Sequence, residues 1–133
     1  MIRYYVISQL KERFPSVAFS FDDPPKPVAL LQSPCLALGE LQIHDDGDEA
    51  TVYFVNATHG HFGCYDETLD AERREKQIAE DVVEFLDSLF KDRVVIWRAL
   101  GGIAGGWRIL QPDEDAPEPS AFRKQFLWSR ELI

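Results

Sequence analysis

From about Thr68 to Lys91, the residues Leu69, Ile78, Val82, Phe85, Leu86 and Leu89 recur at spacings of three and four, while charged side chains fill the other face. A segment patterned this way predicts a helix with one apolar stripe, and that stripe has to be buried against another layer. At 1.5 Å per residue the helix would run ~36 Å. Asp66 or Thr68 is placed to cap its start, and Asp66, Glu67 and Asp70 complement the dipole there. Lys91 and Arg93 suit the opposite end. The acids Glu72, Glu75, Glu80, Asp81, Glu84 and Asp87 read most simply as its solvated face.

The remaining segments supply the layer that this helix needs. Ile2, Tyr5, Val6, Gln9, Leu10 and Phe14 form a shorter helical stripe stopped by Pro15. A short strand pattern follows over Val17–Phe21. It breaks at Asp22-Asp23-Pro24-Pro25-Lys26-Pro27, an extended loop because proline fixes φ and restricts the residue before it. Leu36–His44 and Thr51–Ala57 read as strands joined by Asp45-Asp46-Gly47-Asp48, a hairpin turn signal. Alternation puts Leu41 and Ile43 on one face and Gln42 and His44 on the other. Val52-Tyr53-Phe54-Val55, apolar on both sides, suits a central strand.

Arg93–Leu110 reads as a second hairpin. Residues 112–119 form an acidic, proline-rich spacer expected in solvent, and 120–133 an aromatic C-terminal tail, expected as a short helix capped by Ser120 and docked on its own domain. The expectation is a single α+β domain over residues 1–133. Its antiparallel sheet is built from two hairpins plus a short strand, packed against the long helix and the N-terminal helix.

Charge then narrows the function classes. A net charge of −9 disfavours nucleic-acid backbones and would attract a basic protein partner, while solubility alone is the simpler reading of it. No apolar run approaches the ~20 residues that span a bilayer, and no signal-like N-terminus is apparent. With only Cys35 and Cys64 present, a disulfide framework is not expected. The expected setting is the cytoplasm, with free thiols and no membrane.

Reactive side chains concentrate in His59-Gly60-His61-Phe62-Gly63-Cys64. If a strand runs through this stretch, alternation turns both imidazoles to one face, where a metal, zinc by ligand chemistry, would need Cys64, His44, Asp45 or Cys35 to complete its ligands. The spacing follows no established metal fingerprint, and Gly60 and Gly63 fit a loop as well. As a thiol catalyst, Cys64 would need His59 or His61 as base, and the neighbouring Asp66 and Glu67 oppose thiolate formation. The bland alternative is two hydrogen-bonded histidines and a small apolar cysteine.

In Trp97-Arg98-Ala99-Leu100-Gly101-Gly102-Ile103-Ala104-Gly105-Gly106-Trp107-Arg108, the glycines lack the lysine and helix of a phosphate loop. A hairpin with Gly102-Ile103 as a type II′ turn would pair Trp97 with Arg108 and Arg98 with Trp107 as cation–π partners. This hairpin is apolar on both faces, so one needs a cover from the tail or from another molecule. Arg98 and Arg108 are alternatively candidates for holding a small acidic ligand. Asp45–Glu49 does not follow the acid spacing of a calcium loop.

Three functions follow from these readings. The first is a protein-interaction module, an adaptor or a neutraliser of a basic partner, or a self-associating dimer, without cofactor or assigned catalysis. The second is a metal- or cysteine-dependent enzyme at His59, His61 and Cys64. The third is an acidic-ligand binder at Arg98 and Arg108.

Overall fold

The computed structural model describes residues 1–101 and 104–133. It has an α+β fold: helix α1 (Ile2–Arg13), strands β1 (Ser20–Phe21), β2 (Ala29–Gln32), β3 (Glu40–Asp45), β4 (Glu49–Phe54) and β5 (Thr58–Gly63), helix α2 (Ala71–Phe90), then β6 (Val94–Ala99), β7 (Gly105–Ile109), β8 (Arg123–Phe126) and β9 (Glu131–Leu132). Two antiparallel sheets form, one in the order β1-β2-β3-β4-β5 and one in the order β7-β6-β8-β9.

Both expected helices are present. The apolar stripe of α2 buries Ile78, Val82, Phe85, Leu86 and Leu89. It meets Leu41, Ile43, Val52 and Phe54 from the first sheet and Val94, Ile96 and Phe126 from the second, in one cluster that Ile2, Val6 and Leu10 of α1 join. Each such side chain contributes roughly 1.5–3 kcal/mol by leaving water. The helix starts later than Asp66 or Thr68. Asp70, in an extended conformation, accepts the Arg73 N–H at 2.9 Å as the cap, whereas Asp66 is occupied by the Thr68 amide and hydroxyl.

The Asp46–Glu49 turn forms as expected, with Gly47 at φ +93°, where a side chain would be strained. β4 lies inside its sheet between β3 and β5, as its two apolar faces require. Strand β2 has no counterpart among the sequence expectations: Val28 and Ala29 are buried, but the prolines before them mask the alternation. The strand expected over Val17–Phe21 shortens to two residues, because a Val17–Phe14 backbone bond closes a turn after α1.

Two expectations fail at the second sheet. The tail is not a helix: Phe126 and Leu127 face opposite sides, the first in the main cluster and the second with Val95, Leu110 and Leu132. That alternation is a strand's, and β8 completes the sheet beside β6. On the outer face of the hairpin, Leu127 and Leu132 of the tail extend the apolar cluster of Val95 and Leu110, and Ala116 of the spacer packs against it. The register of β6 and β7 also differs. Trp97 lies opposite Gly106, and Trp107 opposite Ile96, so neither expected Trp–Arg pair exists. Steric fit accounts for this, since a Cβ on Gly106 would stand 2.5 Å from Cζ2 of Trp97. The cation over Trp97 is instead Arg123 of β8, 4.8 Å from the ring centroid. The turn placed at Gly102-Ile103 lies outside the described residues.

The proline-rich spacer is held more closely than solvent alone would leave it. Arg93 donates to the carbonyls of Gln111 and Glu114, Gln125 Nε2 donates to Glu118 O at 2.8 Å, and Ala116 packs on the outer cluster.

Candidate functional site

Both helices bury their stripes against the same side of the first sheet, so the other side of β3, β4 and β5 is left to solvent and to its own side chains. Alternation fills that outer side with Gln42 and His44 from β3, Thr51 and Tyr53 from β4, and His59 and His61 from β5. Tyr53 is the centre. Its ring meets His44 edge-on at 5.0 Å and lies 5.3 Å from His59, which in turn meets His61 at 5.0 Å. All three histidines of the chain therefore line one face.

Hydrogen bonds fix this row. The single proton of the Thr51 hydroxyl goes to the Asp46 carboxylate, so the contact of 3.1 Å with His61 requires Nδ1 of His61 to donate. Glu49 stands 3.4 Å from the same nitrogen and also accepts from the Tyr65 hydroxyl. That bond, with desolvation and the Glu49 and Asp48 charges, raises the Tyr65 pKa above its ordinary value. On β3, Gln42 donates to Glu40 at 3.0 Å and accepts from His44 Nε2 at 3.0 Å.

The sequence had grouped His59, His61 and Cys64, and the strand does turn both imidazoles to one side. Cys64 goes the other way, half-buried against the main cluster beside a cleft of about 230 Å³ lined also by Asp48, Tyr65, Arg74 and Glu75. Among the described residues no group of three His, Cys, Asp or Glu is arranged to hold a metal ion. Arg98 and Arg108 diverge as well. Arg98 donates to Asn56 O at 2.9 Å, while Arg108 makes a two-pronged pair with Glu114 at 2.9 and 2.5 Å. Chiefly that guanidinium, with the Gln111 N–H, holds the Glu114 carboxyl down to about 2. Trp97 and Trp107 are half-buried, Trp107 against Phe62 and Phe85.

The more telling signal lay in charge order along the chain. From Pro27 to Glu72 there is no lysine or arginine, while Glu40, Asp45, Asp46, Asp48, Glu49, Asp66, Glu67, Asp70 and Glu72 are acidic. These nine carboxylates equal the whole net charge of −9, and the rest of the chain balances 14 acids against 14 bases. The stretch is β2 to β5 with the approach to α2, so these carboxylates belong largely to the sheet that carries the open face.

No family model, curated protein or solved structure matches the chain. Among the described residues no helix is long and apolar enough to cross a membrane.

Proposed function

We propose that this chain is a small acidic protein-interaction module, an adaptor for or neutraliser of a basic protein partner, that acts by binding rather than by catalysis. One observation carries the reading: the run Pro27–Glu72 holds nine carboxylates and no lysine or arginine, while the rest of the chain is balanced in charge. Spread charge serves solubility, whereas a one-sided field steers a partner of opposite sign and raises its encounter rate. The reactive groups give the reading further support, since His59 and His61 stand on one side of the sheet and Cys64 on the other.

The test compares capture from native extract on the immobilised wild-type chain and on a variant carrying Glu40→Gln, Asp48→Asn, Glu49→Gln and Glu67→Gln. The expected result is a basic polypeptide retained by the wild type, released by salt, and lost on the variant. Retention that is indifferent to salt and to the four substitutions contradicts the reading.

A further inference from the structure

We infer that the groove over Tyr53 and His59, on the outer side of the first sheet, is the docking site for arginine side chains of that basic partner; the inference rests on the reading of an acidic interaction module. The groove measures about 370 Å³, and Gln42, Tyr53, Val55, Thr58 and His59 line it. Its rings stand on β3, β4 and β5, with Val55 in the short turn between β4 and β5, and each ring of the row touches the next, so little ordering is required on binding.

The chemistry selects a guanidinium. A planar, weakly hydrated cation stacks on an aromatic face, and Tyr53 and His59 present two rings tilted only 34° from each other. Glu40 stands one hydrogen bond behind the groove wall, through Gln42, and supplies the opposite charge. Val55, 54 % exposed, gives the apolar contact that the stem of a long cationic side chain covers.

Six of the other eight carboxylates of the acidic stretch are already engaged, Asp45 by the backbone N–H groups of Arg3 and Gly47. Asp66 holds the Thr68 turn, Asp70 caps α2, and Glu72 pairs with Lys76 at 3.2 Å. Asp46 accepts from Thr51, and Glu49 from Tyr65. A cation arriving at those positions would displace a bond already made, whereas in the groove it adds to the Glu40–Gln42 pair without breaking it.

The experiment is an amide NMR titration of the full chain with a hexa-arginine peptide at low salt, with hexa-lysine as comparison. Shifts are expected to concentrate at Gln42, Tyr53, Val55, Thr58 and His59, with hexa-lysine binding more weakly. Tyr53→Ala should weaken hexa-arginine by about two- to fivefold, the worth of a surface cation–π contact. His59→Ala, at an exposed position, should weaken it too with an unchanged melting point. Shifts centred on Asp66–Glu72, or affinity untouched by both variants, overturn the inference and leave the interaction module standing. Failure of hexa-arginine to bind anywhere overturns both.

Discussion

Trp107 lies directly against Gly60: a Cβ on Gly60 would stand 2.5 Å from Nε1 of the indole and 3.0 Å from Cε2. The two residues belong to different sheets, and the indole of β7 reaches across to stack on Phe62 of β5, with ring planes 14° apart, and to meet Phe85 of α2 at 4.7 Å. The missing side chain at Gly60 is what lets one wedge hold both sheets on the same helix. His59 and His61 flank that glycine, so the wedge also sets the position of the outer row.

Substituting Gly60→Ala should therefore destabilise the fold by about 1–3 kcal/mol, the usual cost of an extra methyl in a packed core. Urea unfolding reads this as a lower midpoint. An unchanged midpoint would mean that the indole has room to move.

Phe126→Ala tests the tail. Phe126 is fully buried opposite Ile96, and its loss should cost about 3–5 kcal/mol, as large aromatic truncations in cores do. If the tail were only docked on a finished domain, the cost would be small and Phe126 amides would exchange early with solvent.

The legible parts of this sequence were those where one period dominates. α2 could be read because its apolar residues keep a single stripe from Ile78 to Leu89, about three turns, and β3 because Leu41 and Ile43 alternate cleanly with Gln42 and His44. The tail could not be read, because Phe126, Leu127 and Trp128 are apolar in succession and are buried on opposite sides of a strand. Register was equally hidden: it depends on which residue accommodates the Trp97 ring, a steric fact invisible in a string of glycines. As for the site, His59 and His61 are legible as a pair and His44 as a candidate to join them, but Tyr53, the ring between His44 and His59, comes from β4 and carries no mark in the sequence.

Acid should expose the Arg108–Glu114 pair. The folded carboxyl of Glu114 is held at about 2, below its ordinary 4.5, so the stability it confers is fully present above about pH 4.5 and is lost as pH falls toward 2. Glu114→Gln should lower stability at neutral pH and flatten the decline over that acid window. Thermal unfolding at pH 7, 4 and 2.5 distinguishes this from a pair that contributes nothing, for which the two curves would run parallel.

Thiol labelling separates binding from chemistry. Cys64 is half-buried and Cys35 is 8 % exposed, so Cys64 should react first with a disulfide reagent near neutral pH. His59→Ala and His61→Ala should leave its rate unaltered, because those rings stand on the other side of the sheet. A marked slowing in either variant would point to an imidazole-assisted thiol.

The most direct measurement places a photo-reactive side chain at position 61, on the outer row beside the groove, or at position 80 on the exposed side of α2, and asks which cross-links to the partner in native extract. Cross-linking of a basic polypeptide from position 61, abolished by salt and absent from position 80, is the predicted result. Cross-linking from position 80 alone, or from neither, would contradict the account.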